Sequence, residues 1–146
     1  MIVSVNSDPH KNEFSALLKA TIDELNTQAK KSPKKIEQLN GNKLEPFACD
    51  VMSDLATGTP FENSIELIGG QKFPDIVAKN FYGIEVKTTT QNHWKTTGNS
   101  VLESTRVEDV ERIFMLFGKL GKPIELSIEL MKSAYQKLLS HILQGI

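Results

Sequence analysis

Two carboxylates and one ammonium stand in an order that can serve phosphodiester chemistry. Asp75 follows Pro74, and ten residues later comes Glu85-Val86-Lys87. The surroundings read as strands. Residues 64–68 (Ser-Ile-Glu-Leu-Ile) alternate and end at Gly69-Gly70, and residues 73–78 (Phe-Pro-Asp-Ile-Val-Ala) form a second short run. Residues 80–83 suit a turn, and residues 84–88 (Ile-Glu-Val-Lys-Thr) are β-branched and alternating. This spacing predicts a compact antiparallel meander of three strands. Side chains alternate across a strand, so Glu85 and Lys87 share one face, about 7 Å apart along the backbone. Ile84 and Val86 share the other face, toward the core. Asp75 comes from the neighbouring strand. Hard Mg2+ takes oxygen ligands and keeps several waters, so Asp75 and Glu85, with the Val86 carbonyl, can hold it. The ion would lower the pKa of a bound water and stabilise charge on phosphoryl oxygens. Lys87 can orient that water and add positive charge opposite the scissile phosphate. Its ammonium also offsets the mutual repulsion of the two acids.

An acid-x-lysine triplet alone carries little weight, because a chain of this composition would show about two by chance. Only one occurs here, in a predicted strand, and the only Pro-Asp lies one hairpin upstream. Order, spacing and strand context together make the signal. The alternative is a surface Glu–Lys pair and an aspartate in a turn.

The elements that must position these groups follow from periodicity. Asp8-Pro9 reads as an N-cap with proline at the first helical position, and Phe14, Leu17, Leu18, Ile22 and Leu25 follow at helical spacing. Residues 29–43 break the pattern with Lys-Lys-Ser-Pro-Lys-Lys and Asn40-Gly41-Asn42. That stretch reads as a solvated basic loop, with a phosphate-contacting arm as the sharper alternative. A second helix is expected over residues 44–57, with Leu44, Phe47, Ala48, Val51, Met52 and Leu55 on its apolar face and Gly58 as its left-handed cap. Cys49 beside that stripe reads as an inert core thiol. Val107, Val110, Ile113, Phe114, Phe117 and Leu120 predict an amphipathic helix, stopped by Gly121 and Pro123, with Lys119 and Lys122 suiting its C-terminal end. Ile124, Leu126, Ile128 and Leu130 predict a fourth strand, and residues 131–143 a last helix. The expected order is α-α-β-β-β-α-β-α. This is an α/β fold in which a mixed β-sheet, the three-strand meander plus a further strand, is flanked by helices. One domain is expected, with an N-terminal helix and basic loop (1–43), a catalytic core (44–130) and a short tail (131–146).

Composition narrows the function. The chain has 146 residues, 39% apolar and 24% charged, which suits one globular domain and not a disordered chain. No apolar run approaches the length of a membrane span. The N-terminal residues carry no readable secretory signal, so a cytoplasmic location is expected. The single cysteine excludes an internal disulfide and a cysteine-based zinc site. A net charge of −1 argues against non-specific coating of nucleic acid, but does not exclude a nuclease, whose acidic metal site offsets basic residues elsewhere.

Gly69-Gly70-Gln71-Lys72-Phe73-Pro74-Asp75-Ile76-Val77, followed by Tyr82-Gly83-Ile84-Glu85-Val86-Lys87-Thr88-Thr89, resembles the PD-(D/E)XK nuclease superfamily. Within it, the sequence is most similar to type II restriction endonucleases. The segment Trp-Lys-Thr-Thr-Gly-Asn-Ser-Val-Leu-Glu-Ser-Thr-Arg (94–106) and Phe117-Gly118-Lys119-Leu120 share the likeness, which covers about residues 44–123. The resemblance implies a restriction-endonuclease-like core and Mg2+-dependent, site-specific cleavage of double-stranded DNA. It places metal ligation on Asp75 and Glu85 and water positioning on Lys87. Many members add an acid from the helix before the first strand. Glu45 fits best and Asp54 is the runner-up, although Glu45 also suits a helix N-terminus for its dipole alone. Thr88, Gln91, Asn92, His93, Lys95, Asn99, Ser100 and Arg106 are the expected DNA contacts, offering donors for phosphates and base edges. The alternative for them is a polar surface loop. A homodimer is expected, because cutting both strands commonly needs two sites. A restriction–modification system would pair the enzyme with a cognate DNA methyltransferase. The chain is shorter than most such enzymes, so its tail is expected to be truncated. The competing expectation is a truncated, catalytically silent nuclease-fold module that binds DNA or dimerises.

Overall fold

Residues 113–117 are five consecutive apolar side chains, Ile-Phe-Met-Leu-Phe. Such a run suits an interior strand with apolar side chains on both faces, and it lies beside the central strand of the sheet. The computed structural model describes residues 8–69, 72–92, 105–106 and 110–130. Three helices come first: α1 (Lys11–Lys31), α2 (Pro33–Glu37) and α3 (Leu44–Leu55). The strands follow: β1 (Ile65–Leu67), β2 (Lys72–Phe73), β3 (Ile76–Ala78), β4 (Tyr82–Thr89), β5 (Thr105–Arg106), β6 (Arg112–Lys119) and β7 (Glu125–Leu130). Five of them form a mixed sheet in the order β1-β3-β4-β6-β7, while β2 and β5 pair in parallel on their own. The β1-β3-β4 meander is antiparallel, β4 and β6 run parallel, and β7 returns antiparallel to β6. The fold is α/β, with a five-stranded mixed sheet flanked by helices.

The helices form where the apolar stripes demand it. α1 buries Phe14, Leu17, Leu18, Thr21, Leu25 and Ala29, and α3 buries Leu44, Ala48, Cys49 and Met52. α1 packs on α3 and β7, and α3 on β1 and β4. Tyr82, Ile84 and Val86, alternate residues of β4, join the same core. Phe14 stacks on Tyr82 with ring centroids 4.0 Å apart, and Phe61 packs against both rings. Each such side chain contributes roughly 1.5–3 kcal/mol by leaving water. Asn26 on α1 treats Leu126 as a strand neighbour would: its Nδ2 donates to the Leu126 carbonyl (3.0 Å) and its Oδ1 accepts from the Leu126 N–H (2.9 Å). That pairing occupies part of the outer edge of β7. Among the described residues, no helix is long and apolar enough to cross a membrane.

Several expectations are corrected. The stretch read as an amphipathic helix ending at Leu120 is strand β6 from Arg112 to Lys119. Val110, Ile113, Phe114, Phe117 and Leu120 do fall at helical spacing. The intervening Met115 and Leu116 are apolar as well, and a central strand wants both of its faces apolar. Lys119 therefore ends a strand, not a helix, and Lys122 lies in the turn that follows. Residues 30–35 are not a loop: Lys30 and Lys31 close α1, Ser32 breaks it, and Pro33 opens α2 at a position where its missing N–H costs nothing. α1 begins at Lys11, after a left-handed His10, so Asp8 is not its cap. Residues 73–78 are not one strand, because Pro74 and Asp75 separate β2 from β3. Gly58 is left-handed (φ 81°) just past α3, as its position suggested. The predicted strand at 124–130 is present as β7. The helix expected over 131–143 lies outside the described residues.

Candidate active site

The ladder between β3 and β4 runs through Ala78–Tyr82, Val77–Gly83 and Ile76–Ile84, and stops one residue short of Asp75. At that point Asp75 faces two strands at once. Its carbonyl accepts from the Ile68 N–H at 2.7 Å, and its Oδ2 accepts from the Val86 N–H at 2.8 Å. The carboxylate thus serves a strand N–H that the ladder has left behind. The N–H and C=O of one strand residue point to the same side, so the Val86 carbonyl faces the same gap. Pro74 helps to end the ladder, since it has no N–H to donate. Its ring lies on Gly83 so closely that a Cβ there would overlap Pro74 Cγ. A glycine inside a strand is a sign of such close approach.

Glu85 and Lys87 share the face opposite Ile84 and Val86, as alternation requires. Lys87 Nζ lies 3.0 Å from Glu85 Oε2. The backbone spacing along the strand is closed by the flexible lysine stem. Glu85 is only 7% exposed, and its Oε1 is buried without a hydrogen-bond partner among the described residues. A buried carboxylate oxygen left without a donor is costly, and a proton or a cation would satisfy it.

The electrostatics agree. Burial pushes the Asp75 carboxyl up to about 7 from 3.8; the Val86 N–H opposes this, and the nearby Glu85 and Glu45 reinforce it. Burial also raises Glu45 above its ordinary range, the Glu85 charge adds to the rise, and Lys87 opposes it. Glu45 on α3 therefore stands within the field of the cluster. Asp54 is exposed and sits nine residues further along α3, about 13 Å by helical rise. Of the two helix acids, Glu45 is the one near the pair. Among the described residues no group of three or more His, Cys, Asp or Glu side chains is placed to hold a metal ion. The donor set here is two carboxylates and a strand carbonyl, which suits a hard cation that keeps several waters. The orphaned Glu85 oxygen fits such an ion.

No known family, curated protein or solved structure matches this chain. The chemistry of the cluster is therefore read from its own geometry.

Four of the expected DNA contacts lie among the described residues. Thr88 faces the helix layer, and its Oγ1 donates weakly to the Gly41 carbonyl (3.4 Å). Gln91 is exposed just past β4, and its N–H donates to Thr89 Oγ1 (3.2 Å). Asn92 is exposed, and its Oδ1 accepts from Lys119 (2.8 Å). Arg106 lies in β5, paired in register with Phe73. His93, Lys95, Asn99 and Ser100 lie outside the described residues, as does Trp94.

Two structurally important residues escaped the sequence reading. Lys119 is 4% exposed, and its ammonium donates to Asn92 Oδ1 and to the carbonyls of Gly121 and Pro123. It ties the segment leaving β4 to the β6–β7 turn. Gly83 lets Pro74 approach; the sequence reads it as the end of the 80–83 turn, whereas Tyr82 and Gly83 already belong to β4. Cys49 is buried, and burial raises its thiol, which suits the inert role expected of it.

Proposed function

We propose that this chain is a Mg2+-dependent, site-specific endonuclease of double-stranded DNA, with a restriction-endonuclease-like core of the type II kind. The observation that carries this reading is the convergence of Asp75, Glu85 and Lys87 where the β3–β4 ladder ends, with one buried Glu85 oxygen left without a partner among the described residues. Asp75, Glu85 and the Val86 carbonyl would hold the cation, and Glu45 adds negative charge nearby. When bound, Mg2+ supplies Lewis-acid stabilisation of phosphoryl charge and makes water a better nucleophile at neutral pH. Glu85 holds the Lys87 ammonium in one position by the ion pair. Lys87 orients the attacking water for in-line displacement and sets a fixed positive charge against the developing negative charge. Asp75 is held in place by the Val86 N–H, and loss of its proton frees the second oxygen for the cation. Two copies related by a two-fold axis would give one site per DNA strand. A cognate methyltransferase would protect the host sites.

The test is digestion of phage DNA by the purified full chain, run beside a duplex-binding measurement in Ca2+. Discrete bands with Mg2+, and none with EDTA, are expected. Intact binding without cleavage in Mg2+ contradicts the enzyme reading and supports a silent binding module.

A further inference from the structure

Residues 30–43 carry five lysines and a single acid, Glu37, in a chain whose net charge is −1. The segment is therefore +4 and the remainder −5. Lys30, Lys31, Lys34, Lys35 and Lys43 are all exposed. They do not hang from a loose loop: Ile36, in the middle of α2, is fully buried and pins the segment to the core. Contacts place this corner against α3 and the end of β4, the two elements that carry Glu45, Glu85 and Lys87. Lys35 Nζ lies 5.2 Å from the centroid of the Phe47 ring, two residues past Glu45 on α3. Gly41, in the turn before α3, accepts from Thr88, the residue after Lys87. Lys43 immediately precedes α3, whose Glu45 feels both Glu85 and Lys87.

We propose that Lys34, Lys35 and Lys43 form the phosphate-backbone contact that seats duplex DNA across the carboxylate cluster. The choice of duplex DNA rests on the nuclease reading above. Asp75, Glu85 and Glu45 outnumber Lys87, so the cluster by itself repels a polyanion. A cationic corner at α2 and the start of α3 offsets that repulsion. Duplex DNA presents a charge about every 1.7 Å of axis, and each lysine–phosphate contact releases a counterion. An anionic membrane fits less well, because the buried Ile36 leaves α2 no apolar side chain to insert.

The experiment uses the full chain, a fluorescent duplex of mixed sequence, and Ca2+ in place of Mg2+. Anisotropy is followed from 50 to 200 mM salt for the wild type, for a Lys34→Gln/Lys35→Gln/Lys43→Gln variant, and for Lys19→Gln as a distant control. The triple variant is expected to bind about tenfold or more weaker at 100 mM salt, and its log K against log salt slope to flatten by roughly 2–3. The control should match the wild type. An unchanged affinity and slope in the triple variant overturns the contact, even where cleavage is normal. A flattened slope in a chain that never cleaves supports the contact and overturns the enzyme reading alone. No duplex binding by the wild type overturns the contact, as does triple-variant loss confined to phosphatidylserine vesicles.

Discussion

Asp75→Asn is expected to abolish cleavage and to stabilise the fold at alkaline pH. The loss of activity should reach about 10³-fold or more, the scale of removing one preorganised electrostatic group from a reaction centre. The gain in stability follows from the raised carboxyl. In the folded chain Asp75 keeps its proton up to about pH 7, and in the unfolded chain only to its ordinary value near 3.8. Across that window the folded state binds more protons than the unfolded state, so stability falls as pH rises, and the whole cost is present above about pH 7. Asparagine carries no charge to desolvate and retains an oxygen for the Val86 N–H. After allowing for solvent screening of a half-buried group, the variant should be about 1–2 kcal/mol more stable at pH 8. That corresponds to roughly 3–8 °C in Tm, with little difference at pH 4. Mg2+ should raise the Tm of the wild type at pH 8 and leave the variant unmoved. A variant that melts lower than wild type at pH 8, or still cuts DNA, would refute the role given to Asp75.

Gly83→Ala is expected to cripple the site without touching a charged group. The new methyl would overlap Pro74 Cγ and stand 3.0 Å from Val110 Cγ1. The proline ring cannot swing away as a flexible side chain would, so the backbone at Pro74 and Asp75 must shift. Overpacking of this kind costs about 1–3 kcal/mol. A displacement near 1 Å at a catalytic group costs about 10²-fold in rate. Pro74→Ala removes the obstructing ring atoms, so the Gly83→Ala/Pro74→Ala double variant should regain much of the lost stability. A single variant with full activity, or a double variant as unstable as the single, would show that this contact does not position Asp75.

The meander was legible because residues 64–68 and 84–88 alternate between turn residues, and alternation is a local signal. It also put Glu85 and Lys87 on one face. What it could not reveal is that Asp75 replaces a missing rung by accepting the Val86 N–H, because the end of a ladder is set by neighbouring strands. Strand β6 was misread for a similar reason. Ile113, Phe114 and Phe117 satisfy a helical stripe and a strand buried on both faces equally well, and only the pairing with β4 decides between them. The basic segment looked like a loop by composition, yet Pro33 starts a helix and Ile36 anchors it. Lys119 was hidden because its oxygen partners come from two separate turns. Which of Glu45 and Asp54 stands near Glu85 depends on the direction of α3, which brings the first under its field and leaves the second exposed.

The most direct test of the central claim is supercoiled plasmid cleavage by wild type and Lys87→Ala, each in Mg2+ and in EDTA. Neither protein should cut in EDTA; in Mg2+ wild type should give nicked and linear products, and Lys87→Ala should give them about 10²–10⁴-fold more slowly. Equal cutting in EDTA, or by Lys87→Ala, would contradict a metal site built on Asp75, Glu85 and Lys87.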